Sequence, residues 1–144
     1  MAHSKVKALS KVPLFAKLSN SELEHVASNA DEVDVPAGKR LTVQGRPGES
    51  FYVLLDGEAV VEIDGEPRRT LKPGDFFGEI SMLDRGPATA TVKTKADSKL
   101  LVMSHSQFRD TIKSSEGLLV KVLLAMGERL RADLAKAERN LKKR

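Results

Sequence analysis

The sequence predicts an α+β fold, mainly β: an antiparallel β-roll or jelly roll flanked by N-terminal helices and followed by a long C-terminal helix. Three observations lead there. The apolar period is helical as far as Ala30, gives way to short β-rich runs from Asp31 to Ser104, and turns helical again beyond Ser104. Turn chemistry punctuates the middle segment, with Asp56-Gly57 and Asp64-Gly65 eight residues apart. The 144 residues, 40% hydrophobic and 31% charged, suit one soluble domain, 1–144, with a sizeable core. Its expected parts are helices over 1–30, the roll over 31–104 and helices over 105–144.

From Lys5, the residues Val6, Leu9, Val12, Leu14, Phe15 and Leu18 lead into "SNSELEHVAS", where Ser19 and Glu22 have the spacing of a capping box. Two short helices joined near Pro13 are expected. The runs "RLTVQG", "SFYVLLDG", "EAVVEIDG", "RRTLKPGD", "TATVKT" and "KLLVMS" read as strands, six to eight in all. The two Asp-Gly pairs frame a strand from Glu58 to Ile63. "SQFRDTIKSS" reads as a short helix and Glu116 to Arg144 as a longer, amphipathic one. Its apolar positions Leu119, Val122, Leu123, Met126, Leu130, Leu134, Ala137 and Leu141 form either a self-association seam or a face packed on the domain.

Composition also excludes. No stretch approaches the roughly 18 apolar residues of a membrane span, and Met1 to Lys11 lacks the apolar core of a secretory signal, so a cytoplasmic protein is expected. Without cysteine there is no disulfide, thiolate catalysis or cysteine-held metal. His3, His25 and His105 have no metal-like spacing and read as surface or helix-face residues. The net charge of +4 resides largely in Lys5, Lys7, Lys11 and the closing "RNLKKR", a solvated end rather than a specific nucleic-acid arm. One tyrosine and no tryptophan leave little for base stacking. No nucleophile–base pair is visible, so no enzyme is expected.

"VPLFAKLSNSELEHVA", "VPAGKRLTVQGRPGESFYVLLDGEAVV" and "LKPGDFFGEISML" followed by "ATATV" resemble, in order, signatures of the cyclic nucleotide-binding domain family. That family includes the cAMP-binding domains of bacterial catabolite-type regulators, protein kinase A regulatory subunits and nucleotide-gated channels. The likeness runs from about Leu9 to Leu134 and is that of a stand-alone, bacterial-type member. With about ten residues after Leu134, a transcription factor carrying the helix-turn-helix domain of the catabolite-type regulators is not expected.

A cyclic nucleotide presents a ribose 2′-hydroxyl, an anionic cyclic phosphate and a flat purine. Gly78 lets the backbone come close to the sugar, and Glu79 accepts from the hydroxyl. Ile80 and Ser81 offer N–H groups at the start of a helical turn, where a phosphate is favoured. Thr89 and Ala90 add N–H groups from the other side, and Thr89 a hydroxyl. By resemblance, Phe77 to Ser81 and Ala88 to Ala90 form the phosphate-binding cassette and Val61 a wall beneath the purine. The family's usual phosphate-binding arginine is absent: the segment reads "PATATV", with Ala88 at the matching position. A lost charge-assisted bond of this kind costs on the order of 1.5–3 kcal/mol. Arg85 either swings toward the same anion or stands in solvent.

The resemblance implies a non-enzymatic cyclic nucleotide sensor with a cAMP-like ligand, no cofactor and no metal. The alternative is a ligand-free protein-interaction or assembly module of the same fold. Partners are a cyclic nucleotide and a homodimer or another protein through the terminal helix, without specific nucleic acid.

Overall fold

The computed structural model describes residues 2–114 and 116–142; the side chains of residues 2–4, and so that of His3, lie outside the description, as do Lys143 and Arg144 of the basic tail. Helix α1 (Ala2–Ser10) leads into tight turns over 11–18, in which Phe15 N–H donates to Val12 at 2.9 Å and Leu18 N–H to Phe15 at 3.1 Å. Pro13 sits in these turns, so the join between the two expected helices lies where the sequence puts it. Helix α2 (Asn20–Ser28) starts with the expected capping box: Glu22 N–H donates to Ser19 Oγ at 3.2 Å, and Ser19 N–H to Glu22 Oε1 at 3.0 Å.

Eight strands follow, β1 (Asp31–Val35), β2 (Arg40–Thr42), β3 (Ser50–Asp56), β4 (Ala59–Ile63), β5 (Glu66–Leu71), β6 (Phe76–Phe77), β7 (Thr91–Thr94) and β8 (Ser98–Ser104). They form two antiparallel sheets, ordered β1-β8-β3-β6 and β2-β7-β4-β5. The β4–β5 hairpin turns at Asp64 (φ 54°) and Gly65 (φ 78°), both left-handed, as a two-residue primed turn requires. Gln44 clamps that turn, accepting from Asp64 N–H at 2.8 Å and donating to its carboxylate at 3.0 Å.

Strand alternation creates two cores. Leu54 and Leu100 point between the sheets with Ala59, Leu71, Phe77 and Val92. Phe51 and Val53 on β3, with Leu101 and Met103 on β8, point the other way, against Leu9, Phe15, Leu23 and Val26 of the N-terminal region. Helix α4 (His105–Ser114) adds Phe108, whose ring lies 5.0 Å from that of Phe51. Helix α5 (Glu116–Lys142) anchors through Leu118 and Val122. The buried phase thus begins at Leu118 rather than Leu119, because positions 118 and 122 are one turn apart on the face toward the core. Leu123, Leu130, Leu134 and Leu141 remain more than half exposed, so packing on the chain's own roll does not account for them. No helix among the described residues is long and apolar enough to cross a membrane.

Candidate functional site

Between the β4–β5 hairpin, the turn after β6, residues 88–90 and the distal half of α5 lies a cavity of about 610 Å³. It is lined by nine of the ten residues picked out in the sequence: Val61, Phe77, Gly78, Glu79, Ile80, Ser81, Ala88, Thr89 and Ala90. The tenth, Arg85, lies outside the lining. It is exposed, adopts a left-handed φ of 59° as the C-cap of α3 (Glu79–Asp84), and donates its N–H to Ser81 O at 3.0 Å.

Two backbone devices fix the near wall. Gly78 takes φ 86°, and a Cβ there would stand 2.5 Å from the Ser50 carbonyl oxygen. The close approach of β3 thus demands a glycine here, and Gly78 also lines the cavity. Gly48 packs flush against the buried Ser81 side chain, and its carbonyl oxygen lies 3.0 Å from His105 Nε2. Opposite, residues 42–46 hold the 88–90 segment: Gly45 N–H donates to Ala88 O at 2.9 Å, Ala88 N–H to Arg46 O at 2.8 Å, and Thr42 Oγ1 to Ala90 O at 2.9 Å. Neither Thr89 nor Ala90 donates to any turn or loop carbonyl among the described residues.

Glu79 is 5% exposed, and a carboxylate so buried needs a partner. Its partner is Arg129 of α5, whose Nη1 donates to Oε1 at 3.3 Å while Nη2 donates to Phe76 O at 2.8 Å. The guanidinium also lies 4.5 Å from the Phe76 ring centroid, a cation–π contact. Burial pushes the Arg129 pKa below its ordinary value, and the Glu79 charge opposes that shift. Phe77, on the cavity side, stacks on Tyr52 with centroids 4.7 Å apart and planes at 9°. Burial raises the Tyr52 pKa, and its hydroxyl donates to Leu41 O at 3.2 Å.

Sequence reasoning missed the cations. Arg68, Arg69, Arg129, Lys136 and Arg139 all line the cavity, with Glu79 and Asp133 the acidic residues among them. On α5, Arg129 reads as one more polar residue between apolar positions, and no local signal distinguishes it. Among the described residues no group of three His, Cys, Asp or Glu side chains is placed to hold a metal ion.

The cyclic nucleotide-binding domain pattern matches residues 32–115. The cAMP-dependent protein kinase regulatory subunit of Emericella nidulans is 34% identical over 113 residues, 77% of this chain and 27% of that subunit. The chain therefore spans about a quarter of that relative's length. The catabolite activator protein of Thermus thermophilus superposes with a TM-score of 0.77 at 28% identity, covering 87% of this chain and 62% of that one. The regulatory subunit of a cAMP-independent protein kinase A from Trypanosoma brucei gives a TM-score of 0.79 over 95% of this chain and 51% of its own. At 20% identity, that likeness is one of fold alone.

Proposed function

The chain belongs to the cyclic nucleotide-binding domain family, and from that premise we propose that it is a cytoplasmic, non-enzymatic regulatory module whose cavity takes a cyclic nucleotide of the cAMP kind. The observation that carries the reading is the convergence, in one cavity, of a buried carboxylate, main-chain donors and apolar walls. Glu79 accepts from the ribose 2′-hydroxyl. The N–H groups at Ile80, Ser81, Thr89 and Ala90 meet the cyclic phosphate, and Val61 and Phe77 flank the purine. A buried carboxylate held by an arginine suits hydroxyl recognition better than acid–base chemistry, which supports a binding role over an enzymatic one.

In this reading residues 1–144 act as one domain and α5 is the responding element. A hydroxyl arriving at Glu79 shares the carboxylate with Arg129, so ligand binding acts directly on the helix that lines the far wall. A flank of α5 turned away from the cavity carries Leu123, Leu130, Leu134 and Leu141, at steps of seven and four. We assign that face to a second copy of the chain, in a homodimer.

A calorimetric titration with cAMP and cGMP tests the binding role. Saturable heat with at least one of them is expected, tightened about tenfold or more by Ala88→Arg, the worth of one charge-assisted pair. No heat with either nucleotide, in wild type or variant, would overturn the reading of the cavity as a site for a cAMP-like mononucleotide.

A further inference from the structure

Adjacent residues of a regular strand face opposite ways, so Arg68 and Arg69 on β5 would be expected to diverge. The hairpin prevents this. Glu62 pairs with Pro67 and Val61 with Arg69, leaving Arg68 as the extra residue of a β-bulge, and both arginines line the cavity. Arg69 stands directly across the ladder from Val61. The Arg68 carbonyl, outside the ladder pairing, accepts from Lys136 Nζ of α5 at 3.1 Å, and Arg139 lines the same cavity from the next turn of that helix.

This wall has more positive charge than its surroundings neutralise. Among the described residues Arg68, Arg69, Lys136 and Arg139 take part in no ion pair. Arg69 and Arg129 are close enough for their like charges to act on each other, with Glu79, Asp75 and Asp133 as the opposing charges. Cations that outnumber the acidic side chains around one cavity, as Arg68, Arg69, Arg129, Lys136 and Arg139 outnumber Glu79 and Asp133, make it attractive to an anion. Ala88 brings no cation to the near wall, whereas the β5–α5 wall carries Arg68, Arg69, Lys136 and Arg139.

We propose that the Arg68–Arg69 bulge, with Lys136 and Arg139, is a second anion subsite, so that the cavity takes a nucleotide with two separated phosphates, a cyclic dinucleotide. The inference rests on the reading of the cavity as a nucleotide site. Its volume of about 610 Å³ lies within the roughly 300–1,000 Å³ of sites for drug-sized ligands.

Titration of the whole chain with cyclic di-AMP, cyclic di-GMP, cAMP and cGMP tests it, in wild type, Arg69→Gln and the double variant Arg68→Gln, Arg69→Gln. One cyclic dinucleotide should bind at least about tenfold tighter than either mononucleotide, and that ratio should collapse in the double variant. Affinity for the dinucleotide should also fall more steeply with salt than affinity for the mononucleotide. If circular dichroism shows the double variant unfolded, Arg69→Gln and the salt slopes decide. A mononucleotide that binds wild type as tightly as both dinucleotides, or a dinucleotide preference that survives these substitutions, overturns the second subsite and leaves the proposed function standing. No heat from any of the four ligands overturns both.

Discussion

At the scale of single residues, the decisive pair is Glu79 and Arg129. A carboxylate 5% exposed would be costly alone, and the guanidinium reaching it from fifty residues further on both offsets that cost and ties the near wall of the cavity to α5. Gly78 is fixed by two independent demands, a left-handed φ and the 2.5 Å approach of the Ser50 carbonyl to any Cβ, so no other residue gives the same turn into α3. Tyr52 reports on this wall, since it stacks on Phe77 and is the one tyrosine of the chain. Burial raises its pKa above the ordinary 10.0. A raised value means that the neutral phenol's contribution to stability is fully present below the unfolded pKa and is lost as pH rises through the folded one. Absorbance near 295 nm should therefore show a single phenol titrating above pH 10 in the folded protein, with the Tyr52→Phe variant losing less stability across that window. A midpoint at or below the ordinary value would contradict the packing of Tyr52 described above.

Among the elements, α5 does two things on two faces. Arg129, Ala132, Asp133 and Lys136, at helical spacing, line the cavity, while Leu130, Leu134 and Leu141 stand 59%, 55% and 68% exposed. Three leucines so exposed on one helix form the kind of surface that a partner covers. Replacing Leu130 and Leu134 by Glu should convert a dimer, read by light scattering, into a folded monomer. A wild type that is already monomeric, with a variant of unchanged stability, would remove the seam.

Much of this element order is legible in the sequence, and the exceptions have physical causes. The Ser19 cap, the Asp64-Gly65 turn and the 27-residue α5 carry strong local signals, namely a side chain matched to unpaired N–H groups, a residue pair tolerant of positive φ, and a sustained period. Strands β1 and β6 lie outside the six quoted runs, β1 because "DEVDV" is an edge strand exposed along most of its length and β6 because two residues carry no period. The near wall of the cavity was readable because a single segment, 77–90, supplies most of it. The far wall was not, since it depends on a bulge in β5 and on a helix that arrives from the far end of the sequence.

For the whole molecule, the two-sheet roll provides the floor of the cavity and the helices a second core behind it. Phe51 is buried between Phe76 and Phe108, with ring centroids 5.9 Å and 5.0 Å away, and so connects β3, β6 and α4 at the back of the site. Phe76 also bears the Arg129 guanidinium on its ring and its carbonyl, so the core, the turn into α3 and α5 meet at one residue. That convergence gives the cavity one wall fixed to the roll and one borne on a helix that runs beyond it. The proposed binding role requires Glu79 to read a ribose hydroxyl within that cavity. Calorimetric titration of wild type and Glu79→Gln with cAMP and with 2′-deoxy-cAMP measures this directly, as a double-mutant cycle between protein and ligand. Loss of the hydroxyl should cost wild type about tenfold or more in affinity and cost Glu79→Gln much less; equal losses in the two proteins, or none in wild type, would contradict the account.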